Sequence, residues 1–236
     1  MATTATLTTT TTMGIIMTDL ENPIAPVALL RLQSWLSPAF PIGSYSYSHA
    51  LEWAAEAGHI HDRQSLVDWL EADLRYGSGR NEAIFFSEAW RCTKDDDRAK
   101  LFEIAELAAA FRGTLEFALE SSQQAAACLV TLRQVWPDCV IDWLSEILCK
   151  RHTQPALAVV LGVRSARQGI PANLALPAFL QSYIANLVSA GVRLIPLGQT
   201  DGQLAIAELE RAVLAVSAQA NEATIEDLAP PRSWSI

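Results

Sequence analysis

Helical periodicity runs through nearly the whole chain, and alternating strand patterns are almost absent from it. In residues 63–75, for example, Leu66, Leu70 and Leu74 fall on one face of a helix. Asp62 stands directly ahead of that helix, where an aspartate is a favoured N-cap. Hairpin signals between β-branched runs are missing as well. The sequence therefore predicts an all-α fold, a single-domain bundle of roughly eight to ten helices joined by short loops.

Low sequence complexity separates the N-terminus from the rest of the chain. Residues 1–24 are rich in threonine and lack the basic and apolar regions of a secretory signal, so we expect a disordered leader there. Residues 25–222 are expected to form the helical domain, since they contain no long linker. Residues 223–236 are expected to form an irregular C-terminal tail.

Composition limits the partners of a chain of this size. The 236 residues carry a net charge of -9, and only 18% of them are charged, whereas 50% are hydrophobic. Nucleic acid is disfavoured as a partner, because neutralising phosphates requires clustered lysine and arginine. A charged fraction below the roughly 25% of an ordinary domain leaves much of the surface uncharged, which is typical of a protein interface.

Four scattered cysteines indicate a reducing compartment. Cys92, Cys128, Cys139 and Cys149 form no Cys-x-x-Cys pair, so we interpret them as reduced thiols of a cytoplasmic protein. Cys149 and His152 are spaced to chelate a soft metal, but two ligands are too few for a structural site. We therefore predict no metal site in this chain.

Two long apolar runs require an interpretation. Residues 155–163 are too few to span a bilayer, and residues 174–192 contain a proline and several polar side chains. We interpret both as core helices that are apolar almost all round. A membrane-associated protein built around residues 155–195 remains an alternative.

Recognisable catalytic motifs are absent: the chain has no P-loop, no Gly-x-Ser-x-Gly elbow and no His-Glu-x-x-His sequence. His49, Glu52 and Glu56 share one helix face, and with Trp53 beside them we favour a stripe that faces a partner. The alternative is a metal-dependent helical enzyme that uses His49, Glu52 and either or both of the nearby histidines, His59 and His61.

Two segments interrupt the helical pattern, and both are unusual. Residues 36–49 read LSPAFPIGSYSYSH, and residues 194–203 read LIPLGQTDGQ. Prolines, glycines and polar side chains predict loops there, and loops on a rigid scaffold often carry function.

These segments resemble the signatures of a known family. Residues 29–60 closely resemble the N-terminal region of the urease accessory protein F (UreF) family, and residues 184–203 resemble its second signature. Between them, residues 119–127 (LESSQQAAA) resemble a weaker family pattern. The resemblance covers residues 27–220; the end of the chain, EDLAPPRSWSI, departs from the short basic tail that usual members carry.

The resemblance implies a function that composition alone does not. Members of the family are all-helical, cytosolic homodimers without enzymatic activity of their own. They bind the urease accessory protein D or H and the nickel-binding urease accessory GTPase G, and the assembly delivers nickel to apo-urease. No cofactor is expected on this chain, since nickel and GTP are handled by the partner complex.

The resemblance also implies site residues, none of them catalytic and none of them a metal ligand. Tyr45 matches a position implicated in contact with the GTPase, and Glu52 matches an acidic position linked to the same coupling. The full set expected to bind partners is Pro41, Gly43, Ser44, Tyr45, His49, Glu52 and Trp53. The set expected to form a dimer or partner loop is Pro196, Gly198, Gln199, Gly202 and Gln203.

Overall fold

The computed structural model describes residues 25–43, 51–111 and 115–228. The described residues form ten α-helices and no strand, so the prediction of an all-α bundle of eight to ten helices is confirmed. The leader over residues 1–24 and the end of the tail beyond residue 228 lie outside the described residues. The helices are α1 (Pro26–Leu36), α2 (Leu51–Glu56), α3 (Arg63–Tyr76), α4 (Ser78–Lys94), α5 (Arg98–Ala110), α6 (Leu115–Val135), α7 (Cys139–Lys150), α8 (Leu157–Arg167), α9 (Ala172–Leu194) and α10 (Gln199–Glu222). A short 3-10 turn at Ile225–Asp227 follows α10.

Helix boundaries follow local signals in the sequence. The Asp62 carboxylate accepts the backbone N–H of Ser65 and so caps α3, as predicted. Helix α6 ends at Val135, before Trp136 and Pro137, because the residue before a proline is pushed out of the helical region. Asp138 then caps α7 through the backbone N–H groups of its first turn.

Helix α8 lies at the centre of the molecule, and its closest neighbour is α4. All its residues from Ala158 to Ala166 are buried. Gly162 permits this contact, since a Cβ there would lie 2.5 Å from the carbonyl oxygen of Phe86 in α4. The interpretation of residues 155–163 as a core helix is confirmed by this burial.

Helix α9 is the long apolar helix of the second run. Among the described residues it is the one helix long and apolar enough to cross a bilayer, and half of its most apolar window is buried inside the bundle. It packs against α10, α4, α2, α3 and α1, so one face serves the core along most of its length.

A buried carboxylate joins three helices. Asp73, near the end of α3, accepts the backbone N–H groups of Ser78 (3.0 Å) and Gly79 (3.2 Å) at the start of α4. The hydroxyl of Tyr183 in α9 donates to the same carboxylate at 2.8 Å. Burial, followed by the charge of Asp73, raises the pKa of Tyr183 well above its ordinary value, so this hydroxyl stays a donor.

The segment after α10 is held to α4 mainly through its backbone. Arg91 donates to the carbonyl oxygens of Asn221 (2.7 Å) and Ala223, and Arg80 donates to that of Asp227. The buried Glu88 carboxylate pairs with Arg91 and so orients its guanidinium.

All four cysteines are free thiols. Cys92 and Cys128 are buried, and burial raises the pKa of the first to about 11 and of the second to about 12. Both thiols therefore stay protonated and unreactive at neutral pH. Cys139 and Cys149 lie exposed, at the first and the penultimate residue of α7.

Candidate functional site

The loop after α1 begins the first signature segment. Its base is anchored, because the Phe40 ring is buried and stacks on Trp136 at 6.5 Å, while Ser182 of α9 donates to the Leu36 carbonyl oxygen at 2.9 Å. Its tip is exposed at Pro41 and Gly43. Gly43 has φ +71°, a conformation that side chains disfavour, so the turn favours a glycine at this position.

Three of the expected partner-binding residues come after Gly43 in the sequence. Ser44, Tyr45 and His49 lie outside the described residues, so their roles stay predictions.

Helix α2 carries the next two expected partner-binding residues, Glu52 and Trp53. Leu51 and Ala54 are buried against the bundle, whereas Glu52 and Trp53 lie on the exposed side, the Trp53 side chain being 38% exposed. An exposed tryptophan beside a carboxylate is typical of an interface hot spot.

A row of three aromatic rings supports Trp53. The His59 ring lies 5.2 Å from that of Trp53 and stacks on that of Trp69 at 6.2 Å, with an interplanar angle of 19°. This Trp53–His59–Trp69 array ties α2 to α3 through ring contacts, so Trp53 is held in place although it faces solvent.

Two residues of the alternative enzyme site, His59 and His61, lie in the described part of the chain, and each has another neighbour there. His59 is stacked in the aromatic array, and His61 lies 3.8 Å from the Asp62 carboxylate with an exposed side chain. Hydrogen bonds from the Ser65 hydroxyl and backbone lower the pKa of Asp62, so it stays ionised as a cap. Within the described part of the chain, no three His, Cys, Asp or Glu residues are grouped so as to hold a metal ion.

The second signature forms a shorter loop than predicted. Only residues 195–198 lie outside a helix, and Gln199, Gly202 and Gln203 belong to the first turns of α10. The prediction of a loop over residues 194–203 is therefore wrong at both ends. The physical reason lies in local capping: the Asp201 carboxylate accepts the backbone N–H of Gly198 at 3.1 Å and so starts the helix early.

The five residues expected to form the dimer or partner loop differ in their exposure to solvent. Pro196, Gly198, Gln199 and Gln203 are exposed. Gly202 is buried instead, and a Cβ there would lie 3.0 Å from a methyl group of Val192, so it serves the packing of α10 on α9.

Helix contacts place the α9–α10 connection beside the start of α3. A Cβ at Gly191, one turn before the end of α9, would lie 2.7 Å from the Leu66 side chain in the first turn of α3. The Ala54 carbonyl oxygen accepts the N–H groups of His59 and Ile60, so the turn from α2 into α3 is tight. The Trp53–His59–Trp69 array and the α9–α10 connection therefore share one end of the bundle.

The expected site is nevertheless divided in two. Pro41 and Gly43 belong to the loop anchored by Ser182, in the middle of α9, which is about 20 Å along the helix from Ile195 at 1.5 Å per residue. The structure brings Trp53 close to the α9–α10 end of the bundle, but it does not bring the base of the first loop there.

Two exposed leucines at the same end went unpredicted. Leu194, the last residue of α9, is 37% exposed, and Leu204, in the second turn of α10, is 47% exposed. The sequence holds a signal for Leu204, since it lies off the stripe formed by Ala205, Leu209 and Val216. Leu194 gave no such signal because it continues an apolar helix.

Comparison with known proteins gives this geometry a context. The UreF family model matches residues 60–210. A urease accessory protein UreF of Rhodopseudomonas palustris (strain BisB5) is 43% identical over 205 residues, which cover 85% of this chain and 82% of the relative. That of Granulibacter bethesdensis is 47% identical over 183 residues, or 77% of this chain and 76% of the relative. A third, from Magnetococcus marinus, is 41% identical over 214 residues, or 88% of this chain and 91% of the relative. With a family model that matches most of the chain and relatives this similar over most of their lengths, the chain belongs to the UreF family.

Proposed function

We propose that this protein is a non-enzymatic assembly factor that bridges the other urease accessory proteins and couples the nickel-carrying GTPase to nickel insertion into apo-urease. The family membership supports this, since the relatives are named urease accessory proteins. The observation that carries a partner role is the exposed apolar surface at one end of the bundle, made by Trp53, Leu194 and Leu204.

The proposed setting is the cytoplasm. The partners are the urease accessory protein D or H, the urease accessory GTPase G and apo-urease, and the chain acts as a homodimer. Nickel and GTP are held by the partner complex, and neither nucleic acid nor a membrane takes part.

Rigidity makes the proposed surface suitable for recognition. Trp53 is fixed by the aromatic array and sits beside the exposed Glu52 carboxylate. A side chain that is already ordered loses less conformational entropy when a partner binds. Glu52 adds a charge at the rim, which favours a partner with a basic patch and speeds encounter.

The test is affinity for the purified GTPase and for the accessory protein D or H, each measured by calorimetry. We expect Trp53→Ala to weaken at least one complex by about tenfold or more, the range of a hot spot. Tyr76→Ala is the matched control, because Tyr76 is a 59% exposed aromatic at the opposite end of α3. Equal affinity of the Trp53→Ala variant and the wild type for both partners would contradict the assigned surface.

A second comparison separates charge from packing. Glu52→Gln should lower the association rate at low salt with little change in melting temperature, whereas Glu103→Gln, at an exposed position on α5, should not. Tyr45 lies outside the described residues, and its role is tested by measuring urease activation in cells that carry the Tyr45→Ala variant. Failure of the wild-type chain to bind either partner would remove the proposed function itself.

A further inference from the structure

A buried arginine lies far from the α9–α10 end of the bundle. Arg164 of α8 is 2% exposed, and its guanidinium carbon lies 5.1 Å from the ring centroid of Trp35 in α1. Its Nη1 lies 3.9 Å from the Asp138 carboxylate, which is too far for a hydrogen bond. Nε and Nη1 are both buried and have no hydrogen-bond acceptor among the described residues.

Asp138 does not supply the missing acceptor, because its nearer oxygen, Oδ2, lies 3.9 Å from Nη1 of Arg164 and accepts Nε of Arg167 instead. Its carboxylate accepts the backbone N–H of Val140 at 2.9 Å and Nε of Arg167 at 3.0 and 3.2 Å. It also accepts the N–H of Ile141 at 3.4 Å. Three of these hydrogen bonds end on Oδ1 and one on Oδ2, and none of them comes from Arg164.

The charges around Arg164 do not balance. Arg31 donates to the neutral Gln168 amide, so the charged groups that act on Arg164 are the two guanidinium groups of Arg31 and Arg167 and the Asp138 carboxylate. Asp96 also acts on Arg167, but its side chain is 84% exposed and therefore screened by water. Burial lowers the pKa of Arg164, Asp138 opposes that shift, and Arg31 and Arg167 add to it.

The neighbouring ring adds a further donor. Nε1 of Trp35 is buried and also has no acceptor among the described residues. An unpaired buried donor destabilises the fold, and a charged one does so more strongly. Donors are thus in excess and carry positive charge, which is the chemistry that an anion satisfies.

We propose that Arg164, with Trp35 and the flanking Arg31 and Arg167, binds a small inorganic anion in the corner between α1, α7 and α8. A free ion suits this place better than a partner's side chain, since Arg164 is almost fully buried. Arg31 and Arg167 are only partly buried and provide the approach from solvent. The proposal is independent of the partner-binding role proposed for the exposed end of the bundle.

The test is the melting temperature of the full chain against anion concentration at constant ionic strength, balanced with gluconate. Separate titrations with chloride, phosphate and bicarbonate distinguish a halide from an oxyanion. We expect a saturable rise for at least one anion, of roughly 5–10 °C at about 100 times its Kd. Arg164→Met, which keeps the volume and removes the charge, should abolish the saturable part, whereas Arg211→Met at an exposed position of α10 should keep it.

Two outcomes would overturn the proposal. One is the absence of saturable stabilisation by any of the three anions, which would mean that water satisfies these donors. The other is saturable stabilisation that survives in Arg164→Met. If that variant fails to fold, Trp35→Phe, which removes the Nε1 donor and keeps an aromatic ring, should raise the Kd severalfold, and bromide-soaked crystals of the wild type should show an anomalous peak beside Arg164. Where chloride is the stabilising anion, bromide peaks only elsewhere on the protein would be a third outcome that overturns the proposal.

Discussion

The contact between α4 and α8 and the contact between α9 and its neighbours both depend on glycine, but they differ in what the glycine faces. Gly162 faces the backbone carbonyl oxygen of Phe86, whereas Gly191 and Gly202 face the methyl groups of Leu66 and Val192. Backbone atoms of a packed helix cannot move aside, but a side chain can change rotamer. The packing of α8 on α4 therefore tolerates added volume less well than the packing around the end of α9.

The side chains of α8 are also less exposed to solvent than those at the α9–α10 end of the bundle. Every residue of α8 from Ala158 to Ala166 is buried, while Leu194 and Leu204 expose apolar side chains at the α9–α10 end. The buried centre thus holds the fold together, whereas the end of the bundle offers apolar side chains of the kind found in the core of protein interfaces.

Gly162→Ala should have the largest effect on stability. The new methyl group would require α4 and α8 to separate, and overpacking of this kind costs about 3 kcal/mol. We expect a fall in melting temperature of roughly 6–12 °C for a chain of this size. Gly202→Ala is the control, since it adds the same methyl group next to a movable side chain; an equal fall in both variants would refute the difference between the regions.

Asp138→Asn should come second, because it leaves Arg164 and Arg167 without their carboxylate. We expect a loss of about 2 kcal/mol at pH 7 in urea unfolding. Burial acts to raise the pKa of Asp138, but hydrogen bonds from Arg167 and the start of α7 lower it overall. The stabilisation is therefore complete above the unfolded pKa of about 3.9 and is lost as the pH falls below it.

The pH dependence gives this second prediction its own check. The difference in unfolding free energy between wild type and Asp138→Asn should shrink from pH 6 to pH 3. A difference that stays constant over that range would show that the charge of Asp138 contributes nothing to stability.

Gly191→Ala should have a smaller effect, about 1 kcal/mol. Its methyl group would meet the tip of Leu66, which can rotate, and alanine regains part of the cost through its higher helix propensity. Thermal unfolding measures the loss. A loss as large as that of Gly162→Ala would show that the packing around the end of α9 tolerates added volume no better than the packing of α8 on α4.

Local signals explain which parts of the fold were predictable. Asp62, Asp138 and the Trp136-Pro137 pair set helix boundaries through neighbours in the sequence, and the structure confirms the predicted cap at Asp62. The burial of Arg164 was not predictable in this way, because two groups that lie against it, Trp35 and Asp138, are remote in sequence.

The candidate site was predictable only in part, for a similar reason. The turn at Gly43 follows from the residue type, and its positive φ confirms it. The separation of that loop from the α9–α10 connection depends on how α1 docks on α9, which no local pattern encodes. The early start of α10 depends on the single hydrogen bond that Asp201 accepts.

Leu204→Ser should have the smallest effect on stability, within about 0.5 kcal/mol, because the side chain is 47% exposed. The same variant should weaken partner binding if the α9–α10 end is the interface. Leu214→Ser is the matched control, being 60% exposed farther along α10. If Leu204→Ser and Leu214→Ser bind the partner equally well, Leu204 is not part of the interface, which would then be restricted to the surface around Trp53.

The anchoring of the segment after α10 has an evolutionary consequence. Arg80 and Arg91 bind main-chain carbonyl oxygens, which every amino acid possesses, so most substitutions at residues 223–227 leave these bonds intact. Substitutions can therefore accumulate in residues 223–227 while the path of the backbone across α4 stays the same. Selection that maintains this backbone path would act at Arg80, Arg91 and Glu88, which are distant in sequence from the segment that they hold.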